Sequence, residues 1–269
     1  MSSRRKSPIS RRRRTLQIEQ YPSQNFGSRG SDQVELLILH HTATPSTQVA
    51  LDTLTDTKTS NRVSAHYLIS PEGKIYQLVD EKNSAWHGGR SFWQGFRDVN
   101  TVSIGIEIQN RDGNFYDYPP AQKDAILALT KDIVQRRRIR VLHVIGHSDI
   151  APNRKDDPGS HFPWPMLAQN GVGFVPSPTQ ADRDASASWD NSTMRKKLQE
   201  FGYVPDQSVG TVTLITAFQR HWQPAAIGTA QEGKADADTK ALLAALLSKK
   251  AGNDAKSKAR RKKRNRLSR

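Results

Sequence analysis

The sequence predicts an α/β layer fold, a mixed central β-sheet flanked by helices, followed by a small three-helix domain. Three observations lead there. Val34-Glu35-Leu36-Leu37-Ile38-Leu39 is apolar almost without a break, as a central strand covered on both faces must be. From residue 34 to 167, strand-length and helix-length patterns alternate, which is how layers packed on one sheet read. A Gly/Pro/Ser-rich linker, 169–190, then sets off three further helical stretches.

Taken in order, residues 15–33 are polar and read as a lead-in. The first apolar strand ends on His40-His41, and a helix with Val49, Leu51 and Leu54 follows, capped by Ser46 or Thr47. Residues 65–69 and 74–79 flank Pro71-Glu72-Gly73, a hairpin signal. Residues 83–100 form a long loop rich in glycine and aromatics. From Thr101 to Gln109 the chain alternates, with Ile104, Ile106 and Ile108 on one face and Ser103, Gly105 and Glu107 on the other. Pro119 to Arg137 is an amphipathic helix whose basic end suits its dipole. Val141 to Ile145 reads as a buried strand, after which prolines 152 and 158 frame a loop. Helices are expected around Met194–Phe201, Leu214–His221 and Asp238–Leu247, making a small bundle over 191–247.

The net charge of +15 is unevenly spread: residues 1–14 carry +7 and residues 248–269 carry +10, leaving −2 for residues 15–247. The body is nearly neutral, and the basicity sits in two tails, 1–21 and 248–269. Both are expected to be disordered, since such charge blocks bury nothing. They suit nonspecific contact with a polyanion. Neither interleaves aromatics or a nucleic-acid motif, which argues against a sequence-specific binder. No apolar run approaches the roughly 18 residues of a membrane span, and no signal peptide or lipid-anchor motif is evident. A cytoplasmic address is therefore expected by default, with the periplasm or cell envelope as the alternative, and a monomer is expected. The absence of cysteine excludes disulfides and thiolate ligands, so any metal must be held by His and carboxylates.

The chemistry gathers at strand ends. His40 closes one apolar strand and His147 another, and Asp157 lies ten residues on in the proline-framed loop. If the two strands are neighbours, both imidazoles emerge at one edge. Two imidazoles and a carboxylate suit a hydrolytic Zn2+ centre with an open position. Glu107, opposite the isoleucine face, could serve as general base, its small neighbours Ser103 and Gly105 leaving room for a substrate and a water. Lys155 could supply positive charge to a tetrahedral intermediate. His66, His87, His143 and His161 compete for any metal role. His147-Ser148-Asp149 also fits half of a non-haem iron facial triad.

The motifs LILHHTAT, SAHYLI, SAWHGGRSFWQG, SIGIEIQN and GHSDIAPNRKDDPG, in this order, resemble those of the zinc-dependent N-acetylmuramoyl-L-alanine amidases. That family is related to T7 lysozyme and the peptidoglycan recognition proteins. The resemblance covers residues 22–168, the expected catalytic domain. It implies hydrolysis of the amide between N-acetylmuramic acid and L-alanine, in peptidoglycan or muropeptides, by a zinc-activated water. It implies one Zn2+ per chain on His40, His147 and Asp157, with Glu107 as catalytic glutamate and Lys155 as transition-state lysine. His41, Trp86, His87 and Arg90 are expected to line the substrate groove, and Asp149 to orient the loop or a ligand imidazole without touching metal. The alternative is a recognition module that holds muropeptide without cutting it. Residues 191–247 resemble the small peptidoglycan-binding domain of wall hydrolases, with Pro205-Asp206-Gln207-Ser208-Val209-Gly210 in place of its usual Asp-Gly turn. On that reading, loss of residues 180–269 spares cleavage of soluble fragments.

Overall fold

The computed structural model describes residues 16–30 and 33–267, with side chains as far as residue 255. Its strands are β1 (Ile18–Gln20), β2 (Phe26–Ser28), β3 (Leu36–His41), β4 (Tyr67–Ile69), β5 (Ile75–Gln77), β6 (Asn83–Ala85), β7 (Ser103–Ile108) and β8 (Val144–Gly146). Its helices are α1 (Thr47–Thr55), α2 (Val99–Val102), α3 (Pro120–Arg137), α4 (His147–Ile150), α5 (Trp164–Gln169), α6 (Gln180–Ser186), α7 (Asn191–Phe201), α8 (Thr211–Trp222) and α9 (Ala237–Leu267). Six strands form one mixed sheet in the order β1-β5-β4-β7-β3-β8, and β2 pairs with β6 apart from it. β3 runs parallel to both β7 and β8, whereas β4 and β5 form the expected antiparallel hairpin.

The apolar run of β3 is explained by what lies on either side. Leu37 and Leu39 pack with Ile104, Ile106 and Ile108 of β7 and with Ile126, Leu129 and Ile133 of α3. Leu36 and Ile38 face the other way, among Trp93, Ile145 and Ile150 and Leu198, Phe201, Leu214 and Phe218 of the C-terminal helices. All four β3 side chains are fully buried, each worth about 1.5–3 kcal/mol. The alternation in β7 likewise sends its isoleucines into the α3 core. α1 starts where expected, with Ser46 Oγ accepting from the Val49 amide at 3.3 Å, and covers Leu68 and Leu78.

Several expectations change. The polar lead-in contains β1, which pairs with β5 at the sheet edge; an edge strand needs backbone partners more than apolar side chains. The expected N-terminal tail therefore gives way to strand before residue 21, and its residues 1–15 lie outside the described part. The 83–100 loop begins with β6 and ends in α2. Val141 to Ile145 opens as a 3-10 turn at Val141–His143, so β8 is only three residues long. The residues after it form the short helix α4 rather than a loop. The 169–190 linker contains α6, capped by a Thr179–Asp182 capping box and tied to α9 by Arg183–Asp238 at 2.9 Å. The three C-terminal helices form, but their apolar faces share a core with the sheet. The basic run after 247 is not irregular: α9 continues to Leu267. Lys, Arg and Ala are strong helix formers, and the packed first half of α9 supplies the costly nucleus. Among the described residues, no helix is long and apolar enough to cross a membrane.

One buried ion-pair network holds the β5–β6 turn against the end of α3. Glu81, 5 % exposed, accepts from Arg136 Nη1 at 2.9 Å and Nη2 at 2.8 Å, from Arg137 Nε at 2.8 Å and from the Tyr67 hydroxyl at 2.8 Å. Burial alone would raise this carboxyl, but the two guanidiniums override it and hold its pKa at about 2. Because the folded value lies below the unfolded one, the stabilisation is complete above the ordinary glutamate range and is lost as pH falls towards 2. Glu81→Gln is therefore expected to cost about 2–3 kcal/mol at pH 7 and much less at pH 3. Urea unfolding at the two pH values checks this; an equal cost at both would contradict the ion-pair account.

Candidate active site

Three parallel strands bring the site together. In the β3–β7 register His40 lies opposite Glu107, and in the β3–β8 register Leu39 lies opposite Gly146. His147 follows directly, so His40, Glu107 and His147 stand side by side at the C-terminal edge of the sheet. That edge is where open α/β sheets bind ligands. The loop after α4 folds back on the same edge, with the Ser148 amide donating to the Asp157 carbonyl at 2.9 Å. A Cβ on Gly146 would stand 2.8 Å from Pro158 Cδ, so this close return needs glycine.

The result is a tight triangle. His40 Nδ1 lies 3.0 Å from His147 Nδ1 and 3.0 Å from Asp157 Oδ2, and His147 Nδ1 lies 3.1 Å from the same oxygen. All three residues are at least 95 % buried. Burial, then the neighbouring His147, pulls the His40 imidazole down to about 4, so it is neutral near pH 7. Burial would raise the Asp157 carboxyl, but His147 and His40 reverse this and hold it well below the usual range.

The hydrogen bonds behind the triangle set which His40 nitrogen faces it. Ser103 Oγ donates to the Val99 carbonyl at 2.6 Å, so towards His87 Nε2, 3.1 Å away, it can only accept. Burial, ahead of the neighbouring imidazoles of His40 and His66, holds His87 well below the ordinary histidine range and so neutral; its Nδ1 is then an acceptor, 3.0 Å from His40 Nε2. His40 donates there and turns the lone pair of Nδ1 into the triangle. His147 Nε2 donates to the Gly88 carbonyl at 3.2 Å, which turns its Nδ1 inward in the same way. Two ring nitrogens and a carboxylate oxygen thus converge on one point, an arrangement that a cation completes. Ligand atoms at 2.0–2.1 Å from a tetrahedral ion stand about 3.3 Å apart, close to what is found. His40, His147 and Asp157 form the one such group of potential metal ligands among the described residues.

Glu107 is adjacent, with Oε1 4.0 Å from His40 Nδ1 and Oε2 buried without a hydrogen-bond partner. Burial, then repulsion from Asp157, pushes its carboxyl well above the usual range, with Lys155 partly opposing. These groups floor a cleft of about 320 Å³, walled by His41, Thr44, Ala50, Leu54, Val63 and Trp86 on one side and Arg154, Lys155 and Asp156 on the other. His41 Nδ1 accepts from the Gly113 amide at 3.0 Å, leaving Nε2 as the nitrogen free to meet a substrate. The Arg62 guanidinium stacks on Trp86 at 5.3 Å.

Of the expected groove residues, His87 does line the cleft, but it is 93 % buried and its ring nitrogens are engaged behind His40. The space over Gly105 that its small size seemed to leave for substrate is filled by this ring, since a Cβ there would lie 2.4 Å from His87 Cγ. Arg90 is exposed and lines a neighbouring groove with Arg97. Asp149 is turned away from the triangle and accepts from the Gly146 amide at 2.8 Å, so the iron facial-triad reading of His147-Ser148-Asp149 does not hold. The sequence reading passed over Arg154, whose Nη2 donates to the Gly88 carbonyl at 2.6 Å and so steadies the acceptor of His147. Its position beside Lys155 was the available signal. It also passed over Asn100, whose Oδ1 accepts from the Gly88 amide at 2.7 Å.

Residues 30–160 match the family model described as N-acetylmuramoyl-L-alanine amidase. The chain is 38 % identical over 239 residues to the N-acetylmuramoyl-L-alanine amidase AmiD of Escherichia coli K12, covering 81 % of this chain and 83 % of that one. It superposes on the structure of E. coli AmiD in complex with anhydro-N-acetylmuramic acid-L-Ala-D-gamma-Glu-L-Lys, with a TM-score of 0.71 and 36 % identity over 84 % of this chain and 92 % of the other. It also superposes on Pseudomonas aeruginosa AmpDh3 in complex with anhydromuramic pentapeptide, with a TM-score of 0.70 and 31 % identity over 91 % and 98 % of the two chains. Fold, motif order and relatives spanning both halves of the molecule agree: the chain belongs to the N-acetylmuramoyl-L-alanine amidase family.

Proposed function

We propose that this protein hydrolyses the amide joining the lactyl group of N-acetylmuramic acid to L-alanine in muropeptides, with one zinc ion held by His40, His147 and Asp157. The observation that carries this reading is the buried triangle of converging ligand atoms with the unpartnered Glu107 oxygen beside it. The muropeptide complexes of AmiD and AmpDh3 support the substrate class. A set of two His and one carboxylate suits Zn2+, which supplies Lewis-acid charge that acidifies water and polarises a carbonyl.

The chain's own groups do the rest. Glu107 takes the proton of the attacking water on Oε2 and returns it to the leaving alanine nitrogen. Its raised proton affinity suits that exchange better than an ordinary carboxylate would. The Lys155 ammonium stabilises the negative charge that develops on the former carbonyl oxygen. His41 offers Nε2–H to the substrate from the cleft wall, and the Trp86 face with Leu54 and Val63 takes up its apolar surface. The direct test is turnover of an anhydro-muramoyl-L-alanyl peptide that stops on chelation and resumes with zinc. Zinc uptake and peptide binding without cleavage would instead support the recognition-module reading.

Glu107→Gln is expected to keep its zinc and lose about 10²–10⁴ in kcat, measured by metal analysis alongside the kinetics. Loss of the metal from this variant would contradict the assigned role. Gly105→Ala is expected to push the His87 ring away from His40 and weaken zinc binding about 10–100-fold. Competition against a chromophoric chelator reads this out, and unchanged affinity would break the chain of bonds from Ser103 through His87 to His40.

A further inference from the structure

Asp149 is fully buried, two residues beyond His147 in α4. Its Oδ2 accepts from the Gly146 amide at 2.8 Å, which caps the first turn of α4. Gly146 is the last residue of β8 and the one joined to His147. A buried carboxylate with a single amide partner is poorly compensated, and here the other donors come from far along the chain. The Tyr203 hydroxyl, just past α7, donates to Oδ1 at 2.5 Å, and His221 Nδ1, in the last turn of α8, lies 2.7 Å from Oδ2.

Both donors are themselves fixed. Tyr203 is fully buried and meets Trp93 edge-on at 5.2 Å. Burial, then the Asp149 charge, pushes its hydroxyl well above the ordinary range, so it stays a donor. The His221 ring lies between Trp164, 3.7 Å away, and Trp222, 3.6 Å away, nearly parallel to both. Nearby, the Gln94 amide donates to the Gly202 carbonyl at 2.9 Å, so the end of α7 is also bonded to the loop ahead of α2.

We propose that Tyr203 and His221 are positioning residues for the metal centre: through Asp149 and the Gly146 amide, the C-terminal helices hold the strand end that presents His147. Without those two donors the carboxylate turns towards water, the cap on α4 loosens, and His147 Nδ1 loses its place beside His40 and Asp157. The inference rests on the metal-site reading above. It reverses the expectation that removal of residues 180–269 spares cleavage of soluble fragments, because the second half of the chain becomes part of the site's support.

The test uses the full chain and four variants: Tyr203→Phe, His221→Leu, His221→Asn and Leu246→Ala. Zinc affinity is measured by chelator competition, the ligand field by the visible spectrum of the cobalt(II)-substituted protein, and stability by thermal unfolding. Tyr203→Phe, which keeps the ring and its packing, is expected to bind zinc about 10-fold more weakly with an altered cobalt spectrum. His221→Leu should do the same, and His221→Asn, which restores an N–H near Nδ1, should recover most of the loss. Leu246→Ala, a cavity in the same core but in α9, which packs on α6 and α7, should lower the unfolding temperature and leave affinity and spectrum unchanged. Wild-type affinity and spectrum in a folded Tyr203→Phe would overturn the proposal. Absence of zinc uptake by the unaltered protein would instead overturn the metal-site reading on which it rests.

Discussion

The parallel pairing of β7, β3 and β8 is the constraint on which the rest of this structure depends. Its register sets His40 opposite Glu107 and places His147 one residue past the opposite of Leu39. Side chains alternate at every residue, so a one-residue slip of β7 would send Glu107 into the α3 core and an isoleucine into the cleft. The apolar faces of the strands prevent that slip. Leu36 and Ile38 belong to one core and Leu37 and Leu39 to the other, and a one-residue slip would satisfy neither. Burial of four aliphatic side chains thereby fixes the position of a histidine that contributes nothing to the core.

A second tier converts position into orientation. Each imidazole of the triangle gives its Nε2 proton away from the centre, His40 to His87 and His147 to the Gly88 carbonyl. Arg154 and Asn100 steady Gly88, and Ser103 steadies His87. What converges is two ring nitrogens and one carboxylate in a buried pocket of low dielectric, where attraction for a cation is strong. The same burial pushes the proton affinity of Glu107 upward, so one physical cause acts on both the potential ligand set and the neighbouring carboxyl.

Much of this was legible in the sequence, for identifiable reasons. His40 and His147 stood at the ends of apolar runs, and Glu107 lay on the polar side of a clean alternation. These are local signals, and the strand ends met as expected. The part of His87 was hidden because it depends on a contact across the β6–β7 connection: a ring filling the space over Gly105 cannot be told from an empty space by composition. Arg90 was drawn to the cleft by its neighbours Trp86 and His87, yet the turn at Gly89, with φ of 54°, precedes a side chain that lines a different groove. The basic C-terminal run was read from charge alone, while its backbone followed helix propensity. The bundle was read as a separate unit because the Gly/Pro/Ser-rich stretch resembled a linker, and nothing local to residues 191–247 shows that Tyr203 and His221 meet Asp149.

The measurement closest to the central claim is X-ray absorption at the zinc edge on the zinc-loaded protein. The account predicts a first shell of light atoms at about 2.0–2.1 Å in which two imidazoles contribute and the remaining ligands are oxygens. A third imidazole in that shell would put His87 on the metal instead of on His40, and the tautomer chain from Val99 to the triangle would be wrong.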